Sequence, residues 1–415
     1  MLVKTLLNRC HKFKSFVFQG IHFIENESAI AIHMAPRANS MAICSGCSNP
    51  APGYDSARQP RRFEFIPIWG FRVFFIYIMR RVQCAQCGIR TELVPWALGK
   101  RELTKTYMAF LANWAKSLPW EEVAVRFKTS WEKVFHAVDY VVQWGLAHRD
   151  LSGITAIGVD EIAWKKGYEF LTLVYQINAG KIRLLWIAKD RKVRSLLGFF
   201  VMLGKERSAL LKFVCSDMWK PYLKVIKKKA VNALNILDRF HIVQKLNKAV
   251  DEIRAGEHRR LKADGHDILK NARWCLLKRR ENLTAKQEVK LKDILRYNLQ
   301  SIRAYLLNFD FQGLWEYVSP GWASKFIDRW TTRVMRSRLE PMKAMARMVR
   351  NHKELILNWF RAKGEFSSGV IEGLNNKVKV TTRKAYGYRT FRCIEISLYH
   401  VLGDLPEPEL THSFY

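Results

Sequence analysis

Nowhere in this chain of 415 residues is there an unbroken apolar run of the roughly 18 residues that a membrane-crossing helix requires. The most apolar stretch, Phe63 to Met79, is interrupted by Glu64, Pro67 and Arg72, which excludes a span there. Acidic residues are scarce: 37 Asp and Glu stand against 70 Lys and Arg, a formal net charge of +33. So large an excess implies a polyanionic partner, because each phosphate contact releases bound counterions. A ribosomal or membrane-surface protein is the plainer reading of the same charge. A Gly-x-x-x-x-Gly-Lys-Ser/Thr run is missing, and with it the usual backbone cradle for a nucleoside triphosphate. Internal repeats and low-complexity tracts are missing too. Met1 to Gly20 carries Lys4, Arg9, Lys12 and Lys14 around no long apolar core, unlike a secretory signal. Of the eight cysteines, Cys10, Cys215, Cys275 and Cys393 stand alone. That usage suits a reducing cytoplasm, not a disulfide framework. Core-forming material is abundant: 49% hydrophobic residues and fourteen Trp describe a folded protein of about two to four domains.

The remaining cysteines form two Cys-x-x-Cys pairs, Cys44 with Cys47 and Cys84 with Cys87. Between the pairs lie two strand-like runs, Phe63 to Ile68 and Arg72 to Ile78, with a turn at Trp69-Gly70-Phe71. A hairpin brings its ends together. Residues 1–100 therefore read as a β-rich zinc-ribbon module in which the four thiols close one tetrahedral site, whose ion supplies folding free energy to a small core. Two coincidental pairs, or a redox pair, are the other readings of the same spacing. Residues 101–150 read as helices. One starts at Pro119, with Glu121 and Glu122 near the positive end of its dipole. Thr129-Ser130-Trp131-Glu132 matches a capping box for the next, which carries Val134, Val138 and Val141 on one face. Two helices joined at Lys128-Thr129 have the pattern of a helix-turn-helix, with Ser130, Lys133 and His136 as outward DNA-contact candidates. Any helical hairpin shares that pattern.

From 151 to 255 strands and helices alternate. Thr155 to Asp160, Tyr168 to Ile177 and Lys181 to Ala188 read as strands, the first two joined through Lys165-Lys166-Gly167. The helix Val193 to Leu203, the strand Leu211 to Cys215, the helix Trp219 to Ala230, the strand Ala233 to Leu237 and the helix Phe240 to Ile253 follow. Three meandering strands followed by αβαβα make a mixed sheet with helices on its faces, the order of a ribonuclease-H-like fold. Residues 256–365 are charged, Trp-rich and helical, and read as an all-helical insertion. Residues 366–415 complete the core. The fold class is thus multi-domain α+β.

Three acids stand out. Asp160 ends Ile157-Gly158-Val159, Asp217 ends Phe213-Val214-Cys215-Ser216, and Glu372 lies in a helix-like segment full of bases. Carboxylates at the ends of buried strands are what a pair of divalent ions needs for in-line cleavage of a phosphodiester. On a helix, Asn376, Lys379 and Arg383 share the face of Glu372, and Lys377 and Lys384 add charge beside it, a stripe able to hold a phosphate backbone. A solvated basic helix with one incidental Glu has the same composition. Glu161 follows Asp160 but faces the other way along a strand. Asp238, before Arg239-Phe240-His241, is either a helix cap or a fourth acid near the ions. His241 assists proton transfer, contacts DNA or makes a structural hydrogen bond.

Taken together, these strings resemble the DDE transposases of bacterial insertion sequences, in the zinc-ribbon group written ISL-three. The resemblance runs nearly end to end: both Cys pairs, Val94-Pro95-Trp96-Ala97, Ile157 to Ile162, Ser216 to Tyr222, Asp238 to His241, Ile371 to Lys377, and Leu405-Pro406-Glu407-Pro408. It implies that Asp160, Asp217 and Glu372 are the catalytic triad holding two Mg²⁺ or Mn²⁺, beside one structural Zn²⁺. It further implies terminal inverted repeats and target DNA as ligands, and a homodimer or larger synaptic assembly in the bacterial cytoplasm, at the nucleoid. Neither a membrane nor a nucleotide cofactor is expected. A zinc-ribbon regulator without catalysis, or a structure-specific nuclease of the same fold, remain the alternatives, and strand transfer separates them.

Overall fold

A computed structural model describes residues 3–165, 169–363 and 369–408. The expected turn at Lys166-Gly167 and the Ser367-Ser368 entry to the Glu372 segment lie outside them. The chain forms two compact units, 1–150 with 378–415, and 151–377.

The first unit opens with α1 (Val3–Cys10), β1 (Phe16–Ile24), β2 (Ala29–Pro36), β3 (Ala42–Ile43), β4 (Pro50–Ala51), β5 (Gly53–Ser56), β6 (Arg61–Ile68), β7 (Phe71–Tyr77), β8 (Arg80–Cys84) and β9 (Gly88–Thr91). The expected hairpin is present as β6 and β7, reversed at Trp69 and Gly70, both at positive φ. Its setting differs from the sequence reading. It belongs to a four-stranded sheet, β1-β2-β7-β6, whose first two strands come from residues the sequence reading left unassigned. The cysteines sit instead on two smaller sheets, β3-β4 and β5-β8-β9. The physical reason is the aromatic content of the hairpin: Phe63, Phe65, Phe75 and Tyr77 extend their apolar face through Phe16, Phe18 and Ile32 of the adjoining strands, and Trp96 packs into the same cluster. Trp96 is the hub, with ring contacts to Phe13, Phe16, Phe63, Phe75 and Tyr77. Buried Glu92 is fully satisfied by Tyr77 Oη and by the backbone and guanidinium of Arg80, which makes its burial tolerable.

Helices α2 (Lys105–Ser117), α3 (Trp120–Arg126) and α4 (Trp131–His148) follow. The cap of α4 is Ser130, whose Oγ accepts from Lys133 N at 3.3 Å; the expected box starting at Thr129 is off by one. Lys128 at φ 50° makes the turn, which places Ser130 in the extended geometry a cap requires.

The second unit contains β10 (Ala156–Lys165), β11 (Glu169–Asn178), β12 (Lys181–Lys189), α5 (Val193–Leu203), α6 (Lys205–Ala209), β13 (Phe213–Ser216), α7 (Lys220–Lys229), β14 (Leu234–Leu237) and α8 (Arg239–Ala263). The short α6 was not expected, and α8 runs ten residues beyond the Ile253 end read from sequence. The five strands form one sheet, β12-β11-β10-β13-β14. β12, β11 and β10 are antiparallel, and β13 and β14 continue parallel to β10. α5 and α7 cover one face through Leu196, Phe199, Phe200, Tyr222 and Ile226, each side chain contributing on the order of 1.5–3 kcal/mol of burial.

Helices α9 (Arg273–Leu277), α10 (Ala285–Ile294), α11 (Gln300–Gln312), α12 (Pro320–Met335), α13 (Glu340–Asn351) and α14 (Lys353–Arg361) share one apolar core with α8. α14 lies along β14, where Asn358 Nδ2 donates to Asn235 O at 2.8 Å, so that sheet edge is covered. α15 (Gly369–Lys384) and α16 (Phe391–Leu402) end the described structure. In the first unit, the tail packs on α4: a Cβ at Gly145 would lie 2.7 Å from Leu405 Cβ. No helix of the described residues is long and apolar enough to cross a membrane.

Candidate active site

Strand register sets the acids on one level. Gly158 pairs with Cys215, and Cys215 with Ile236. Two residues further along each strand stand Asp160, Asp217 and Asp238, on the same faces as their pairing residues. Asp217 and Asp238 thus follow the carboxyl ends of β13 and β14. Asp160 instead lies in the middle of β10, which the sequence reading ended at Asp160 but which runs on to Lys165 because its antiparallel pairing with β11 continues.

Helix α15 is seated over this face. Ile371 packs so tightly on Gly158 that a Cβ there would meet Ile371 Cδ1 at 2.6 Å and Cγ1 at 2.8 Å. One turn on, Asn375 donates from Nδ2 to Asp160 Oδ2 at 2.5 Å and accepts from Tyr175 Oη at 3.0 Å. Asn375 was not among the residues picked from sequence. The signal was present in the apolar stripe Ile371, Leu374, Val378, which puts residue 375, not 376, on the seated face. We expect Gly158→Ala to destabilise the chain by about 1–3 kcal/mol. In an Ile371→Val background the added methyl should cost less, and a double-mutant cycle of denaturant midpoints would measure that coupling.

Asp160 is buried, and the lost solvation raises its carboxyl above the usual range against the opposing hydrogen bonds from Glu161 N and Asn375. Asp217 Oδ1 accepts from Met218 N at 2.5 Å. Asp238 caps α8 through Phe240 N and also bonds His241 Nδ1 at 3.0 Å. That bond, with the fields of Asp217, Asp238 and Asp160, lifts His241 to about 9. On the other side of β10, Glu161 pairs with Arg191 and is pushed up to about 7 by burial. Arg191 also reaches Asp217. Four carboxylates thus share one guanidinium and one imidazolium, a net negative cluster of hard oxygen donors in a strongly basic chain. That donor set fits divalent cations.

The folded state holds the His241 proton more tightly than an unfolded chain does. With chelator present, the pair should contribute stability that is complete below the ordinary value of 6.5 and is lost as pH rises through about 9. The gap in unfolding free energy between wild type and His241→Gln should shrink from about pH 6 to about pH 10 in denaturant titrations.

Glu372 is exposed on the first turn of α15, three residues before Asn375 and so on a neighbouring face. Among the described residues, only the four cysteines bring three or more potential ligands within 4.8 Å of one another, so the three acids stand further apart than that. Asn376, Lys377, Lys379 and Arg383 are exposed. Lys384 is half-buried and donates to Ser117 O. Ser130 is used as a cap, His136 is exposed, and Lys133 is held by Glu64 at 3.1 Å and Glu102 at 3.2 Å.

Cys44, Cys47, Cys84 and Cys87 converge as one cluster, with Cys47 Sγ and Cys84 Sγ 3.5 Å apart. Gly46 N points at Cys44 Sγ at 3.3 Å, and backbone N–H groups of Cys87 and Gln86 lower Cys84 to about 7. A Cβ on Gly46 would lie 2.9 Å from Cys87 Sγ. Burial and the other three thiols push Cys87 up to about 12, so without an ion the four sulfurs are not all thiolates; their convergence is the arrangement that zinc fits.

The transposase family model of the ISL-three DDE group matches residues 157–398, more than half of the chain and a span that includes Asp160, Asp217 and Glu372. The chain belongs to this family. It is 27% identical over 394 residues to the transposase for insertion sequence element IS1001 of Bordetella parapertussis, covering 94% of this chain and 96% of that protein. It is 26% identical over 412 residues to the transposase for insertion sequence element IS1557 of Mycobacterium tuberculosis, covering 91% and 90%. Membership makes this a nucleic-acid-processing transposase with DNA as its expected partner.

Proposed function

We propose that the chain binds the terminal inverted repeats of its own element, cleaves DNA there to free a 3′-OH, and joins that end to target DNA. The observation that carries this reading is the alignment of Asp160, midway along β10, with Asp217 and Asp238 just past the neighbouring strands β13 and β14, together with the bond from Asn375 of α15 to Asp160. Asp160, Asp217 and Glu372 would hold two Mg²⁺ or Mn²⁺ ions, which when bound supply an activated water or hydroxyl and stabilise the departing 3′ oxygen. Asn375 keeps one oxygen of Asp160 in place while Glu161 N holds the other. His241, protonated near neutral pH, balances charge and keeps a proton at the acid cluster. Ile371 and Asn375 anchor the turn of α15 that bears Glu372.

The layout we assign is a zinc-ribbon module (1–100), a helix-turn-helix region (101–150) and a ribonuclease-H-like core (151–255) completed by 366–415, with residues 256–365 as a helical insertion. Three antiparallel strands followed by two parallel ones support the core assignment. The two N-terminal regions would dock on the element ends, with Ser130, Lys133 and His136 toward the duplex. Asn376, Lys377, Lys379, Arg383 and Lys384 would contact phosphates. α7 adds Lys220, Lys224 and Lys228 on one face, starting three residues after Asp217 and with no ion pair among the described residues. Two element ends processed together call for a homodimer or larger assembly.

The test is incubation of purified protein and Mg²⁺ with a plasmid carrying the DNA that flanks its gene. Cleavage at repeat ends and joining to new DNA is the expected result. Specific binding without cutting, across several divalent ions, would replace this reading with a regulator. Cutting of branched DNA without joining would replace it with a nuclease.

A further inference from the structure

Arg191 stands between two carboxylates without binding either tightly. Its Nε lies 3.2 Å from Glu161 Oε1 and its Nη2 3.6 Å from Asp217 Oδ2, both longer than the roughly 2.7–2.9 Å of a tight charge-assisted bond. Its buried Nε makes no well-formed hydrogen bond among the described residues. Glu161 and Asp217 retain only 7% and 16% of their side-chain exposure, and Arg191 is the one ion-pair partner of each among the described residues. The guanidinium also lies over the ring of Trp219, 4.6 Å from its centroid, which offers a cation a second resting place. The backbone beside it is fixed: Asp190, at φ 75°, donates its N–H to Phe170 O and accepts at its carbonyl from Thr172 Oγ1. Its carboxylate engages Lys192 and Arg194, diverting the neighbouring cations.

We propose that Arg191, held from the other side of β10 by Glu161, is a resident counter-cation of the acid cluster, and that it competes with an incoming divalent ion for Asp217. This rests on the metal-site reading of that cluster. Because Asp217 Oδ1 already accepts from Met218 N and Oδ2 faces Arg191, a divalent ion at that oxygen displaces the guanidinium, so loss of Arg191 strengthens ion binding, and bound ion frees Arg191 toward Trp219 and DNA phosphate. A merely structural Arg191 would have the opposite effect, since its loss would loosen the site.

The experiment is Mn²⁺ binding to the zinc-loaded full-length chain, followed by calorimetry and by electron paramagnetic resonance. Wild type, Arg191→Gln, Arg191→Lys and Asp217→Asn are compared, with circular dichroism to check each fold. The expected result is Asp217-dependent binding that tightens by roughly fivefold or more in Arg191→Gln, with Arg191→Lys between it and wild type. Lys keeps the charge but can reach only one carboxylate at a time. An Asp217-dependent site whose affinity is unchanged or weaker in both Arg191 variants overturns this inference and leaves the metal reading standing. Should Arg191→Gln not fold, the Arg191→Lys comparison decides alone. A chain with no Asp217-dependent manganese site overturns both.

Discussion

Asp217→Asn is expected to bind element-end DNA with nearly unchanged affinity and to cut it more than a hundredfold more slowly, a loss beyond the roughly 10–100-fold that removal of a supporting metal-site residue causes. The amide keeps the shape of the side chain and its Oδ1, so the bond from Met218 N survives and the strand end stays in place. What disappears is one negative charge and the pairing with Arg191. Nicking and strand-transfer assays at matched DNA occupancy would measure the effect. Cleavage within a few-fold of wild type would remove Asp217 from the catalytic group. Glu161→Gln beside it separates the two acids that Arg191 bridges: a larger loss in Glu161→Gln than in Asp217→Asn would transfer the assignment.

Cys84→Ser should lose the bound zinc and the order of residues 42–56 and 80–91 together. The cluster's own core consists of Ala42, Cys44, Ala51, Val82 and Cys84, far too little apolar surface to hold two small sheets. Ligation in comparable sites contributes about 10–16 kcal/mol, so the ion decides whether this part folds. The neighbouring core around Phe18, Phe63, Phe75 and Trp96 is independently substantial and should stay protected. Metal analysis and amide hydrogen exchange would report both, with end-specific DNA binding expected to fall on the docking role proposed for the module. Full protection of residues 42–56 and 80–91 without zinc would overturn the structural role of the ion.

Several elements were legible because their signals are local. An apolar strand pattern that stops at an acid places Asp217 and Asp238 just past β13 and β14 without reference to the rest of the fold, while β10 runs five residues beyond Asp160, and α5 has the limits its periodicity predicts. The Cys-x-x-Cys spacing carries the cluster in the same way, since two close pairs need only one hairpin-like return to meet. Other features were not local. β1 and β2 join a hairpin through a parallel β2–β7 pairing, which no adjacent sequence signal announces. The cap of α4 shifted by one residue because Lys128 takes positive φ, a backbone choice that the capping motif does not encode.

The sequence by itself determined the family, the meeting of the four cysteines, and the helix that carries Glu372, because residue type and short-range periodicity specify each of these. Tertiary structure alone decided that Asn375 and not Asn376 meets Asp160, since that depends on which stripe of α15 is seated against Gly158. It also decided that Arg191, in a loop without any motif, lies between Glu161 and Asp217. Both follow from packing among residues far apart in the chain, where the free energy lies in shape and charge complementarity that a linear pattern does not express.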